Sequence, residues 1–330
     1  MHDERLNAKA LRRRVAKETK SVVFAALRLC LFALIVLSSS SALAAQPYVL
    51  VLGTAQDAGV PQMGCDTPFC RRAWKDPRLR EMVTSIALVD PNSGSRWIFD
   101  ATPNLPDQFE LLKNITGDRS NRLDGILLTH AHIGHYTGLM YLGREAMNTS
   151  DVKVFAMPRM KTMLERDAPW SQLVAIKNIA IQPLADGTPV RLSEHLSIEP
   201  FLVPHRDEFS ETVGYRIRSA RKTLIFIPDI DKWQRWTTPL ADVVRSSDYV
   251  LIDGTFYADG EIDRPMSEVP HPFVSETMTL LRDLRATDRG KVYFIHFNHS
   301  NPLIQKDAAR LKEVSRAGFH VATRGLKLTL

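Results

Sequence analysis

The sequence predicts an α/β domain that covers about residues 46–330. Apolar runs of strand length alternate with segments of helix length throughout this stretch, and no linker divides it into two parts. The chain has 330 residues, 44% of them hydrophobic, which is ample for a sizeable core. These observations together favour one layered domain.

The first 45 residues are predicted to be a separate segment, a secretory signal peptide. It begins with basic residues, including three arginines from Arg12, continues with an apolar run that is strongest at Leu29–Leu37, and ends in small residues around Ala44. Arg28 interrupts the apolar run, so the uninterrupted part is short for a membrane span. We expect a periplasmic or secreted protein, and an uncleaved membrane anchor is the alternative.

The charge of the chain gives no indication of nucleic-acid binding. Residues 1–45 contain 8 of the 43 Lys and Arg and 3 of the 37 Asp and Glu, which leaves 35 against 34, or about +1. The isoelectric point near 9.2 therefore reflects mainly the leader. A small-molecule substrate is the partner that we expect.

The first elements of the domain follow from apolar runs and turn residues. Tyr48–Gly53 is predicted to be a strand. Thr54–Phe69 is predicted to be a loop, because it is rich in glycine and proline. Thr84–Asp90 and Arg96–Asp100 are predicted to form a hairpin, and a helix is expected from about Pro106.

The remaining elements alternate in type. The strand candidates are Gly125–Thr129, Val152–Ala156, Val174–Ile181, Val190–Leu192, Leu196–Val203, Val213–Ile217, Leu224–Ile227, Tyr249–Ile252 and Val292–Ile295. The helix candidates are about Tyr136–Met147, Arg159–Asp167, Leu240–Val244, Phe273–Leu284 and Asp307–Ala317. Val321–Leu330 closes the chain.

Three of the ten histidines, His130, His132 and His135, fall within six residues. They follow the apolar run Gly125–Leu128, and alternation places the first two on the same side of the chain. Neutral imidazoles are good zinc ligands, and a catalytic zinc takes about three protein ligands and keeps an open position. The alternative is a polar loop with capping histidines, but this spacing directly after an apolar strand favours a metal site.

His205, Asp229 and His296 each stand just after an apolar run, where a strand gives way to a loop. Active sites on layered α/β folds collect at such edges. Taken singly, His205 could cap a turn and Asp229 could form an Asx-turn. The recurrence at strand ends favours metal ligation, because His and carboxylate ligands are typical of hydrolytic metal sites.

The complete pattern resembles the metallo-β-lactamase fold superfamily over roughly residues 48–330. The superfamily hallmark is H-x-H-x-D-H followed by a lone His, a metal-bridging Asp and a last His. The residues that match it are His130, His132, His135, His205, Asp229 and His296. Three stretches resemble the pyrroloquinoline-quinone biosynthesis protein B branch and the cyclic phosphodiesterases of phosphonate breakdown: Leu52–Gln62, Asp253–Phe256 and His296–Pro302.

The resemblance implies a four-layer αββα sandwich with a metal at the edge of its two sheets. It also implies a hydrolase that attacks an ester or phosphodiester with a metal-activated water. The leader adds that this hydrolase is exported, and Asp229 is the best candidate to orient the water. One Zn²⁺ ion is expected and two are possible, with another divalent metal left open. The alternative function is a non-hydrolytic binding or carrier protein in pyrroloquinoline-quinone biosynthesis or transport. β-Lactam hydrolysis is disfavoured, because fold alone does not give function.

Gly134 departs from the superfamily pattern, which has Asp at this position. The first metal site keeps His130, His132, His205 and Asp229, whereas the second keeps only His135, Asp229 and His296. We therefore expect one tightly bound active-site ion. Asp57 and Asp100 are expected to contact the metal ligands and hold them in place, rather than to bind the metal themselves. His271 is expected either to line the pocket or to be a loop histidine between two prolines.

A second departure concerns Cys65 and Cys70. Phosphodiesterase relatives have a C-x-C-x-x-C cluster that binds a structural zinc with a histidine, and here His299 matches that histidine while Thr67 replaces the middle cysteine. Three ligands make a poor closed site. The alternatives are a structural metal with a substitute ligand, a Cys65–Cys70 disulfide, or free thiols.

The exported form is predicted to begin near Ala45 or Gln46, because small residues occupy the positions that a signal peptidase recognises. N-terminal sequencing of the exported protein measures this. Recovery of a form with intact Met1 in the membrane fraction would instead support the anchor.

Overall fold

The computed structural model describes residues 11–17, 45–263 and 265–330. Residues 11–17 form an exposed helix, α1. Most of the predicted signal peptide lies outside the described residues. Among the residues that are described, no helix is both long and apolar enough to cross a membrane.

Residues Gln46–Leu330 form one unit built on two seven-stranded sheets. The first sheet contains β1 (Tyr48–Gly53), β2 (Ser85–Asp90), β3 (Ser95–Phe99), β4 (Gly125–Leu127), β5 (Val152–Ala156), β6 (Ile179–Pro183) and β14 (Lys327–Thr329). Its strand order is β14-β1-β2-β3-β4-β5-β6. The pairs from β14 to β3 are antiparallel and those from β3 to β6 are parallel.

The second sheet is built in a similar way from the later part of the chain. It contains β7 (Val190–Arg191), β8 (Ser197–Leu202), β9 (Val213–Arg218), β10 (Thr223–Ile227), β11 (Tyr249–Asp253), β12 (Val292–Ile295) and β13 (His320–Val321). Its order is β13-β12-β11-β10-β9-β8-β7. The strands from β10 to β13 are parallel, so their carboxyl ends meet at one edge.

Helices cover the outer faces of the sheets. They are α2 (Pro68–Lys75), α3 (Leu105–Thr116), α4 (Ile133–Tyr136), α5 (Pro158–Arg166), α6 (Trp170–Ala175), α7 (Leu240–Arg245), α8 (Val274–Leu280), α9 (Ala286–Arg289) and α10 (Ala308–Arg316). Short 3-10 turns occur at Pro77–Leu79, Thr137–Leu142, Trp233–Arg235 and Met266–Glu268.

Side-chain alternation along the strands separates the core into layers. In β1, Val49 and Val51 pack in the cluster between the sheets, whereas Leu50 packs on the outer face with Leu112 of α3. The outer face of the second sheet has its own apolar cluster, formed with residues of α7, α8 and α10. The predicted αββα sandwich is therefore confirmed.

Tyr215 links the two sheets beside the histidine segment. Its buried hydroxyl donates a hydrogen bond of 2.6 Å to the carbonyl of Leu128, and its ring meets Phe99 edge-on at 5.2 Å. The amide of Val213 also donates to the carbonyl of Thr129 at 3.1 Å. The second sheet thus fixes the backbone immediately before His130.

Some predicted elements differ from the structure. The predicted helix at Tyr136–Met147 is instead α4 followed by a 3-10 turn, and a Cβ at Gly138 would lie 2.0 Å from the carbonyl oxygen of Thr102. The strand predicted at Val174–Ile181 was wrong over residues 174–178, where α6 ends and a turn follows, and the observed strand is β6 from Ile179. The helix predicted from Phe273 ends at Leu280.

Tyr215→Phe should lower the free energy of unfolding by about 1–2 kcal/mol, because it removes a buried hydrogen bond between the sheets. Tyr249→Phe is a matched control, since its half-buried hydroxyl contacts Lys222 Nζ at 2.7 Å. We expect the control to change stability by less than about 0.5 kcal/mol. Urea unfolding measures both, and equal losses would contradict a specific role for the Tyr215 contact.

Candidate metal centre

The predicted site residues meet at one edge of the sandwich, because four of the six follow the carboxyl end of a strand. His130 follows β4, His205 follows β8, Asp229 follows β10 and His296 follows β12. His132 is the N-cap of α4, and His135 lies within that helix. The structure therefore brings together all six residues of the predicted set.

Asp229 lies at the centre of this cluster and is only 2% exposed. Its Oδ1 is 3.3 Å from His205 Nε2, and its Oδ2 is 3.4 Å from His130 Nε2. On the other side, Oδ2 is 3.7 Å from His135 Nε2 and 3.8 Å from His296 Nε2. Asp229 therefore faces both halves of the predicted two-metal site.

The first half comprises His130, His132, His205 and Asp229, whose ligand atoms all lie within 4.8 Å of one another. Ligands of a tetrahedral zinc with bonds of about 2.0–2.1 Å are roughly 3.3 Å apart, which agrees with the contacts to Asp229. The Nε2 atoms of His130 and His205 are buried without a hydrogen-bond partner among the described residues. These donors fit a divalent cation, which would satisfy the nitrogens that the protein leaves unpaired.

The outer nitrogens of the imidazoles are held in place. Nδ1 of His130 contacts Thr129 Oγ1 at 3.0 Å, and Nδ1 of His205 contacts Asp231 Oδ1 at 3.2 Å. Nδ1 of His296 is 2.9 Å from Thr255 Oγ1. Such contacts orient Nε2 toward the metal in known metal sites. Asp231 and the two threonines were not predicted as site residues, although Thr129 and Asp231 lie within two residues of a predicted ligand.

Asp100 supports the second half, as predicted. It contacts Nδ1 of His135 at 2.8 Å and accepts a 2.8 Å hydrogen bond from the amide of Thr129. Asp100 and His296 both have a φ of +67°, in the left-handed region. Such backbone conformations cluster at functional sites, where surrounding contacts must hold them in place.

The second half comprises His135, Asp229 and His296, together with Asp57. Asp57 Oδ1 is 3.0 Å from His135 Nε2 and 3.7 Å from His296 Nε2. Asp57 was expected from the sequence only as a residue that supports the metal ligands. The structure instead places its carboxylate among the inner ring nitrogens.

His271 lies in the pocket, which was one of the two expectations for it. Its Nδ1 is 2.8 Å from Asp253 Oδ2 and 3.2 Å from Asp229 Oδ1. Burial lowers its pKa, but Asp253 and Asp229 outweigh burial and raise the pKa of His271 to about 9. His271 and Arg206 line a cleft of about 380 Å³ beside the cluster.

The cysteine pair is a disulfide, Cys65–Cys70, which was one of the three alternatives. Thr67, in place of the middle cysteine, caps α2 by accepting a hydrogen bond from the amide of Cys70. His299 lies close to both sulfurs, and its buried Nδ1 has no hydrogen-bond partner within the described part of the chain. A structural metal at these three residues would require reduced cysteines, because thiolates are the ligands.

The fold and the His/Asp centre define an αββα protein with a candidate two-metal site. The chain belongs to the beta-lactamase superfamily, because the family model described as "Beta-lactamase superfamily domain" matches residues 95–297. The resemblance inferred from the histidine pattern is therefore confirmed.

Relatives of the predicted branch are similar to this chain in sequence, and two solved structures share its fold. The chain is 27% identical to the coenzyme PQQ synthesis protein B of Gluconacetobacter diazotrophicus, with 85% of this chain and 99% of that protein covered. The crystal structure of Zn²⁺-bound PqqB from Methylobacterium extorquens has a TM-score of 0.72 at 23% identity and covers 86% of this chain and 100% of that chain. A diphosphatase of the PhnP family has a TM-score of 0.61 at 20% identity, with 86% and 98% covered.

Replacement of His130, His132 or His205 by Ala should abolish tight metal binding at the first half, since each change removes one of its three imidazoles. His299→Ala should leave this binding intact. Titration of the metal-free protein with Zn²⁺, followed by elemental analysis, measures the effect. Equal metal loss from His299→Ala and His205→Ala would overturn this division.

Proposed function

We propose that this chain is an exported metal-dependent hydrolase that cleaves an ester or phosphodiester. The observation that carries the proposal is the convergence of unpartnered imidazole nitrogens on the buried Asp229, beside a polar cleft. His/Asp donor sets are typical of hydrolytic zinc sites, so Zn²⁺ is the proposed ion.

A bound divalent cation supplies Lewis acidity and lowers the pKa of a coordinated water toward neutrality. The residues of the chain supply position and charge. His130, His132 and His205 would hold the cation, and Asp229 would accept a hydrogen bond from the attacking water and so orient it. Because Asp229 is buried, its carboxylate is fixed in direction and is poorly screened by solvent.

A cationic group on the cleft, Arg206, favours an anionic substrate. His271 is held next to the cluster by Asp253, and the guanidinium of Arg206 extends from the neighbouring segment. Arg is well suited to phosphate because its planar fork can donate two hydrogen bonds at once. A phosphodiester is therefore the substrate class that we favour over a neutral ester.

Export is supported by the leader-like N-terminus and by the Cys65–Cys70 disulfide, since disulfides persist in oxidising compartments. The disulfide lies within the same unit as the metal centre. We therefore propose that the folded unit works in the periplasm or outside the cell.

The second candidate function is non-hydrolytic binding or carriage of pyrroloquinoline quinone or a precursor. It is favoured by the relatives described as coenzyme PQQ synthesis protein B, which align with 85–86% of this chain. Quinone-cofactor genes or quinoprotein dehydrogenases next to the gene would favour this candidate. Saturable binding of the quinone without its chemical change would do so directly.

The hydrolase proposal predicts that the Zn²⁺-loaded protein cleaves a simple phosphodiester faster than a thioester or a β-lactam. His205→Ala should reduce the rate by about 100-fold or more, because it removes a cation ligand. The exposed His195 provides a matched control, and His195→Ala should retain the rate of the unmodified protein. A spectrophotometric assay of the panel measures these rates.

Chelation of the metal should abolish the activity, and restored Zn²⁺ should recover it. Lack of turnover on the whole panel by protein with a verified metal content would overturn the proposal. Undiminished turnover in His205→Ala would also overturn it, because that activity would not depend on the proposed centre.

A further inference from the structure

We infer that Asp57 supplies the carboxylate that Gly134 lacks, so that Asp57, His135, Asp229 and His296 bind a second metal ion. The carboxylate would then come from the loop after β1 rather than from the histidine hallmark. The inference rests on the metal-binding part of the proposed function and does not require hydrolysis.

There is no space for a side chain at Gly134. A Cβ at this position would lie 2.5 Å from both the Cα and the Oδ1 of Asp57, and 2.8 Å from its Cβ. Contacts this short cannot form, and one of them involves the backbone, which cannot rotate away as a side-chain tip can. Position 134 must therefore be glycine while Asp57 occupies this place.

The distances between the four candidate ligands also favour a metal site. Asp57 Oδ1 is 3.0 Å from His135 Nε2 and 3.7 Å from His296 Nε2. Asp229 Oδ2 is 3.7 Å and 3.8 Å from the same two nitrogens. These values are close to the spacing of roughly 3.3 Å between the ligands of a tetrahedral zinc. Nε2 of His296 is buried without a hydrogen-bond partner among the described residues, as expected for a ligand that faces a cation.

His135 contacts a carboxylate at each of its two ring nitrogens. Its Nδ1 contacts Asp100 and its Nε2 contacts Asp57, at 2.8 Å and 3.0 Å. A neutral imidazole has only one N–H and can donate to only one of these carboxylates. When Nδ1 donates to Asp100, the lone pair of Nε2 points at the carboxylate of Asp57. The position between Nε2 and Asp57 Oδ1 therefore calls for a positively charged partner, a proton or a metal ion, and we assign it to the metal ion.

The backbone of the Asp57 loop is fixed to the segment after His296. The amide of Gln56 donates to the carbonyl of Phe297 at 2.8 Å, and the amide of Phe297 donates to the carbonyl of Thr54 at 2.8 Å. The side chain of Asn298 donates to Gln56 Oε1. Asp57 and His296 therefore keep a fixed separation, as two ligands of one ion should.

Asp57 thus fills the gap that made the second site seem underliganded from the sequence. The earlier expectation of one tightly bound ion counted only position 134 and did not include a carboxylate from a distant loop. With Asp57 included, the second half has two imidazoles and two carboxylates, one of them shared with the first half.

Metal counting on metal-free protein titrated with Zn²⁺ tests the inference. The unmodified protein should bind two active-site ions, and Asp57→Asn should bind one tightly. Affinity for the second ion should fall by about 100-fold or more, since even outer contacts of metal ligands are worth 10–100-fold. In Zn²⁺-soaked crystals, anomalous scattering should place the second ion about 2.0–2.2 Å from a carboxylate oxygen of Asp57.

Asp263→Asn is the matched control, because Asp263 is an exposed carboxylate on the same cleft and lies outside the metal groups. It should retain two ions, which separates ligation from a general loss of negative charge. Circular dichroism verifies that each variant is folded. Two ions in Asp57→Asn at the original affinity, or only one in the unmodified protein, would overturn the inference. Lack of hydrolysis would not affect it, because the ions are counted without substrate.

Gly134→Ala provides an independent test. This change removes no ligand, and Ala is normally favourable in a helix. Because the new methyl group would collide with Asp57, we expect loss of the second ion and retention of the first. A Gly134→Ala protein that holds both ions at the original affinity would contradict the coupling between Gly134 and Asp57.

Discussion

The structure of the site depends on one buried charge, the carboxylate of Asp229. Burial alone would raise its pKa, but His205, His271 and His296 outweigh burial and hold the pKa well below its usual range. An uncompensated buried charge destabilises a protein by about 3–5 kcal/mol, so the surrounding imidazoles are needed for the fold as well as for the chemistry. The carboxylates and hydroxyls behind those imidazoles then fix which ring nitrogen faces inward.

Much of this arrangement could be predicted from sequence because it follows from local rules. Apolar runs predicted most strands of both sheets, and ligands placed just after those runs had to meet where strands of the same direction end. His205, Asp229 and His296 were found in this way. The local triplet at His130, His132 and His135 could be read from spacing alone, since its members belong to a single loop and helix.

The rest depended on contacts between distant parts of the chain. Asp57 has no pattern that relates it to His135, and only the pairing of the loop after β1 with the segment after His296 brings them together. The prediction of a helix after His135 did not include the close approach of Gly138 to Thr102, because a sequence pattern does not reveal such an approach. The strand predicted at Val174–Ile181 begins too early, because Trp170 and Leu173 pack on the core and α6 continues to Ala175.

The wide separation of the ligands along the chain also determines when a metal ion can be acquired. The three histidines from His130 to His135 are close together even in the unfolded polypeptide. The group from Asp57 to His296 is assembled only after both sheets have formed. Such long-range contacts form late during folding, because the entropy of loop closure must be overcome first. The compartment in which the chain folds, and the ions present there, would therefore decide which metal occupies the centre.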